Sequence, residues 1–152
     1  MTGISAPPSD SIVRVRLINT TGLMTVRAQG FIEPVQRGHE LLSFPTYAFL
    51  IDHEPSGKRV MFDLGIRKDY WNLPAVLQLR FSQVIVALKV DEDVTEVLES
   101  GGIGVDSIDS VIWSHYHWDH IGNLELFPRA RRSTSGLASR ISLVSYPGFP
   151  TY

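Results

Sequence analysis

Four side chains of metal-ligand type, His115, His117, Asp119 and His120, fall within six positions directly after the apolar run Ile108–Trp113. This cluster restricts the fold, because a buried strand must end at an open edge where all four can project. His115 and His117 are two residues apart, and on an extended segment their side chains point the same way. They can therefore close on one ion from one side. Asp119 and His120 are adjacent and are expected to point in different directions, which suits a following turn addressing a second ion. Imidazole nitrogen and carboxylate oxygen both bind Zn²⁺ at about 2.0–2.2 Å. Mn²⁺ or Fe²⁺ accepts the same mixed set. Two such ions can share a bridging hydroxide, acidify it and stabilise the oxyanion formed when it attacks a carbonyl. A single histidine at a strand end is ordinarily a hydrogen-bonded structural residue. Four ligand types in six positions make a different pattern.

Nothing else in the composition competes with this reading. The chain has no cysteine, so disulfides and thiolate metal sites are excluded and any metal is held by nitrogen and oxygen. A formal net charge of −2 offers no electrostatic attraction to nucleic acid or to an anionic membrane. With 152 residues, 43% hydrophobic and 20% charged, the chain has the makings of one modest domain with a real core. The start MTGISAPPSDS lacks the basic head and apolar stretch of a signal peptide. Runs such as Val84–Leu88 are too short to span a bilayer. The expectation is a soluble cytoplasmic domain.

Along the chain, residues 1–11 are small and polar and read as a flexible lead-in. Ile12–Ile18 alternates like a half-buried strand; Thr20-Thr21-Gly22 interrupts it, and Leu23–Val26 reads as a second short strand. Pro34–Ser43 reads as loop. Tyr47–Ile51 and Arg59–Phe62 are apolar runs across the turn His53–Gly57, a hairpin signal. Lys68–Lys89 shows no strand alternation, and Pro74–Ser82 reads as helical from its leading proline. Asp93–Ser100 is a helix with Val94, Val97 and Leu98 on one face and Gly101-Gly102 as its stop. Ile108–Trp113 is a strand running into the histidines. This order describes a layered α/β fold. After Pro128, Arg129-Ala130-Arg131-Arg132-Ser133 opens a basic, Ser-rich stretch without hydrophobic period.

The run Ser114-His115-Tyr116-His117-Trp118-Asp119-His120-Ile121-Gly122-Asn123 resembles the H-x-H-x-D-H signature of the metallo-β-lactamase superfamily. Its tryptophan and Ile-Gly-Asn run are most similar to the lactonase-like and fungal hydrolase branches. Phe62-Asp63-Leu64-Gly65 is similar to the strand-end Asp-x-Gly segment that precedes the metal loop in that family. By layout the resemblance covers residues 12–128, and only the metal loop is highly specific. It implies an αββα sandwich with metals at one edge, between two sheets. It also implies that His115 and His117 bind a first zinc, and Asp119 and His120 a second. Asp119 is then the catalytic residue, steering water or accepting a proton. The implied chemistry is attack on a lactone or ester carbonyl by metal-bound hydroxide.

One departure bears on all of this. The family completes its site with a further histidine, a bridging aspartate and a last histidine downstream, whereas after His120 this chain has no histidine or aspartate and only Glu125 as an acidic residue. Residues 12–128 are therefore expected to be the N-terminal half of such a domain, and residues 129–152 an irregular, aberrant tail. The sheet face that the other half would cover should self-associate. The competing reading is a non-catalytic fragment that binds metal weakly or pairs with a partner chain.

Several other residues have two readings. Asp63 either orients a ligand histidine or caps the Leu64-Gly65 bend. His53 belongs to an exposed turn; His39 sits in a loop that could border a substrate pocket. Tyr116 and Trp118 alternate with the ligand positions and are expected to pack the loop. Tyr70, Trp71, Leu73, Leu77, Leu79 and Phe81 could line an apolar entrance, although core or helix packing is the simpler role. Arg129, Arg131 and Arg132 are expected to be a solvated run and not a phosphate site.

Overall fold

The computed structural model describes residues 11–130. Its strands are β1 (Arg14–Arg27), β2 (Leu41–His53), β3 (Lys58–Phe62), β4 (Ile85–Lys89) and β5 (Ser110–Ile112). Its helices are α1 (Ala75–Val84), α2 (Val94–Ser100) and the single turn α3 (Trp118–Ile121). The strands form one sheet in the order β4-β1-β2-β3-β5. All pairings are antiparallel except β3 with β5, which run parallel. A parallel pair needs a crossover, and here it contains α1, β4 and α2. The fold is mixed α/β, as the element order implied.

Three boundaries differ from the sequence expectation. β1 is one strand through Thr20-Thr21-Gly22; the pairing with β2 shifts between Asn19 and Leu23, and Thr21 takes φ 58°. The interruption is thus a bulge, and Thr20 in it is buried, donating its hydroxyl to the Thr46 carbonyl at 2.8 Å. β2 starts at Leu41, inside the stretch read as loop. β4 lies in the segment read without strands, at the sheet edge against the second half of β1, where pairing rather than alternation defines it. The helices agree better: α1 begins after Pro74, and α2 is tied down by Glu96, which accepts the Asp93 N–H at 2.7 Å. Asp93 in turn accepts the Lys68 N–H at 3.0 Å, joining the helix start to the segment after β3.

The core forms on one face of the sheet. Ala48, Leu50 and Met61 pack with Val94 and Leu98 of α2 and with Ile103, Ile108, Phe127 and Ala130. Each fully buried large side chain contributes about 1.5–3 kcal/mol relative to exposure. Ala130 is buried, so the core runs two residues past Pro128. The remainder of the expected tail, with Arg131 and Arg132, and most of the N-terminal lead-in lie outside the described residues. The opposite face carries an apolar row set by register, Leu17 beside Phe49, Phe49 beside Phe62 and Phe62 beside Ile112. Leu17 and Ile112 are 60% and 50% exposed. No helix among the described residues is long and apolar enough to cross a membrane.

Candidate metal centre

The parallel strands β3 and β5 end side by side, and the segments that follow them are laced together. Asp63 N–H donates to the Ile112 carbonyl (2.8 Å), Leu64 N–H to that of His120 (2.8 Å), and Gly122 N–H to that of Gly65 (3.0 Å). Gly65 (φ 72°) and Gly122 (φ 50°) are both left-handed. A Cβ on the first would run into the Thr20 side chain, and on the second into Leu64. Only glycine permits that backbone and that approach together. Asp63 itself sits at φ 60°, a conformation that aspartate tolerates better than most residues.

On this platform the histidines gather. His117 is extended (φ −66°, ψ 144°) and leads into α3. The ring centroids of His115 and His117 are 4.4 Å apart, and those of His115 and His120 4.1 Å. Below them the buried Asp63 carboxylate accepts the Ser114 N–H on Oδ1 (2.7 Å). Its Oδ2 lies 2.7 Å from Ser114 Oγ and 2.8 Å from His120 Nδ1. Asp63 is therefore both the turn residue and the partner of a site histidine. Ser114 Oγ also lies 3.0 Å from His115 Nδ1. Burial, reinforced by the neighbouring His120 and His117, holds the His115 imidazole below its ordinary pKa against the opposing pull of Asp119 and Asp63. That favours the neutral ring, the form that ligates metal.

Asp119 and His120 depart from the expected divergence, since Asp119 Oδ2 comes within 3.5 Å of His120 Nε2. A single helical turn splays adjacent side chains at their bases, yet here the tips approach each other. Two donors on one tetrahedral ion at zinc distances span about 3.3 Å, so this pair suits a shared ion. The donors are imidazole and carboxylate, a set that suits zinc in the absence of thiolate. Among the described residues, however, no three histidine, aspartate or glutamate side chains converge as a complete metal holder. The residues present fit zinc in kind and in pairs, and fall short in number. Glu125 does not join them as an acid in the cluster; it is exposed in the turn after α3, where its N–H donates to Asn123 Oδ1 at 3.1 Å.

The remaining candidates disperse. Trp118 packs on Phe81 of α1 with ring centroids 4.3 Å apart, while Tyr116 is exposed. Of the apolar set around α1, Leu73 is buried, but Trp71 and Leu79 are exposed. The simple packing role therefore holds only for part of it. His53 bonds Ser56 Oγ in its turn at 2.6 Å. His39 lines a cavity of about 270 Å³ with Ala28, Ile32 and Leu42, which shares no lining residue with the histidine cluster. Arg129 pairs with Asp109 at 2.9 Å. Ser114 is the site residue to which the sequence assigned no role; its place directly before the first histidine was the available signal.

The model of the metallo-β-lactamase superfamily matches residues 43–142. The chain is 37% identical over 150 residues to gamma-lactamase FDB1 of Fusarium pseudograminearum, covering 95% of this chain and 36% of that protein. It is 35% identical over 153 residues to cytochrome P450 monooxygenase mpaDE' of Penicillium brevicompactum, covering 97% of this chain and 17% of that one. The chain thus spans roughly a third or less of the length of these two curated relatives. Among solved structures it is similar to an N-acyl homoserine lactone hydrolase with N-hexanoyl-L-homoserine bound at the catalytic metal centre. The TM-score is 0.54 at 21% identity, covering 74% of this chain and 44% of that one. That likeness carries the fold.

Proposed function

Because this chain belongs to the metallo-β-lactamase superfamily, we propose that it supplies the first half of a zinc-dependent hydrolase site acting on a lactone or a similar cyclic ester or amide. The single observation that carries the reading is the pairwise proximity of His115 to His117 and to His120, and of Asp119 to His120, at the joined ends of β3 and β5. The names of the relatives, a gamma-lactamase and a homoserine lactone hydrolase, support a carbonyl in a small ring as the target. His115 and His117 would hold a first ion, Asp119 and His120 a second; manganese or iron would suit the same donors. Zinc bound there would supply Lewis acidity toward the carbonyl and toward water.

The chain's own groups do the rest. The Asp119 carboxylate, at the start of α3 and 3.5 Å from His120 Nε2, is placed to hold a proton at Oδ2. α1 reaches the metal loop through Phe81, which packs on Trp118, and the exposed Leu79 on the same helix would offer apolar surface for the substrate's non-reacting part. Residues 12–128 correspond in this reading to the first half of the αββα sandwich, and the apolar row Leu17, Phe49, Phe62 and Ile112, exposed at all but Phe62, is where a second sheet would pack.

A second reading has its own observation. No three ligand-type side chains converge among the described residues. On that ground the second reading is that these residues by themselves bind metal weakly and do not catalyse. Metal content after exhaustive dialysis separates the two, measured beside a His117→Ala, Asp119→Ala double variant. About two zinc equivalents per chain, lost in the variant, and ring opening in a lactone and lactam screen support the enzyme. Substoichiometric zinc, unchanged in the variant, supports the fragment.

A further inference from the structure

We infer that Thr20, locked by Thr46 within the β1 bulge, is a positioning residue that props Gly65 against the metal loop and so fixes the placement of α3. The inference takes its use from the metal-site reading above, but its geometry stands on packing and hydrogen bonds that include no ligand side chain. Thr20 and Thr46 are both buried, where valine, of nearly the same shape, would need no hydrogen bond. A buried hydroxyl must be bonded, and these two satisfy each other. Thr20 Oγ1 donates to the Thr46 carbonyl at 2.8 Å. That uses its one hydrogen, so at the 2.7 Å contact between the hydroxyls Thr46 Oγ1 is the donor. The Gly22 carbonyl, 3.4 Å from Thr46 Oγ1, is the longer alternative. A fully satisfied buried pair of this kind rigidifies the site that it occupies.

Each residue of the bulge grips a different part of the platform. The Thr20 side chain fills the space that a Cβ on Gly65 would need. At Thr21, with φ 58°, Oγ1 accepts the Glu92 N–H at 2.9 Å and donates to the Glu92 carbonyl at 3.0 Å. Gly22 leaves no room for a side chain between Thr46 and Ile66. The segment after β3 is thereby held at both ends, at Gly65 by Thr20 and at Lys68 by Asp93, the neighbour of Glu92. From Gly65 the restraint passes to the metal loop. The Gly65 carbonyl accepts the Gly122 N–H at 3.0 Å, and Leu64 N–H donates to the His120 carbonyl at 2.8 Å. These two bonds fasten the end of α3, the turn that carries Asp119 and His120. Neither threonine need touch substrate or ion.

Removing the lock without touching Gly65 isolates the claim. Thr46→Val keeps the shape and deletes the hydroxyl, while Thr46→Ser keeps the hydroxyl. Leu50→Ala weakens the core beneath the same strand, away from the bulge. The measurement is amide hydrogen exchange in the full chain without metal. Thr46→Val should speed exchange at Leu64 and Gly122 about tenfold relative to the core amide of Ile103, the factor that a lost buried hydrogen bond ordinarily carries. Thr46→Ser should restore the wild-type ratio, and Leu50→Ala should leave it unmoved. Exchange at Leu64 and Gly122 that only keeps step with Ile103 in Thr46→Val overturns the inference, since the threonines would then serve global stability alone. Should Thr46→Val fail to fold, Thr20→Ser decides in its place. It keeps the hydroxyl pair, removes only the methyl against Gly65, and is expected to loosen the same two amides.

Zinc affinity by chelator competition is read beside the exchange. Binding weakened about tenfold in Thr46→Val, the low end for partners outside the ligand set, and recovered in Thr46→Ser supports positioning. A wild type that binds no zinc yet shows the selective exchange sinks the metal reading and leaves the prop standing. Tight zinc binding that is equal in wild type and Thr46→Val overturns the positioning role and leaves the metal reading intact.

Discussion

The two faces of the sheet are written in nearly the same apolar alphabet and have opposite fates. On one, Leu50 and Met61 are wholly buried beneath α2 and the segment around Ile103, Ile108 and Phe127. On the other, Leu17 and Ile112 remain half open and Phe49 is 38% exposed. Alternation along β1 and β2 marks both faces as apolar, so the difference lies in what the chain's own helices reach. A row of this kind across four strands is larger than the scattered apolar residues normal on a surface. The lesson is that a strand pattern apolar on both sides asks for two covering layers, and the described residues supply one.

The sharpest way to break this contrast is to cut into the covered side. Leu50→Ala should destabilise the chain by about 2–5 kcal/mol in urea unfolding; a loss of a few tenths would mean the covered face is not a packed core. Next in size is Gly122→Ala, expected to remove about 1–3 kcal/mol because its left-handed backbone and Leu64 contact join the sheet to the site. A thermal melt unchanged from wild type would detach the platform from the core.

The open side should behave differently. Leu17→Thr, Phe49→Thr and Ile112→Thr are each expected to shift stability by only about 0.5 kcal/mol, while sedimentation moves from associated species toward monomer. A loss of several kcal/mol would show that this face is covered in the folded protein, and the contrast would collapse. Acid gives the smallest effect. Asp69 is held at about 2 chiefly by its bond to the Arg67 guanidinium, with Asn72 assisting. A depressed carboxylate stabilises fully above its unfolded value of 3.8 and loses that contribution as pH falls toward 2. Unfolding midpoints should be insensitive to this pair from pH 7 to 5 and fall below 4, whereas association through the apolar face should not follow the same curve.

Most element identities were legible because each rests on local chemistry. Pro74 before α1, Gly101-Gly102 after α2 and the Pro/Gly turn before β3 all punctuate the chain where the structure does. The two strand errors share one cause. β4 and the continuity of β1 through Thr21 depend on a partner strand, which a local pattern does not contain. Asp119 and His120 were expected to diverge on the strength of adjacency alone, yet their tips come within 3.5 Å, which only the folded side-chain conformations decide.

The sequence by itself determined the superfamily, the ligand-type residues and the absence of histidine and aspartate after His120, since these depend only on residue type and spacing. Tertiary structure alone decided what holds those residues in place. Asp63 and Ser114 are 51 positions apart in the chain, and they meet because β3 and β5 run parallel and end together. Hydrogen bonds reach about 3 Å, so a network of this kind exists only once a crossover has brought the two strand ends side by side.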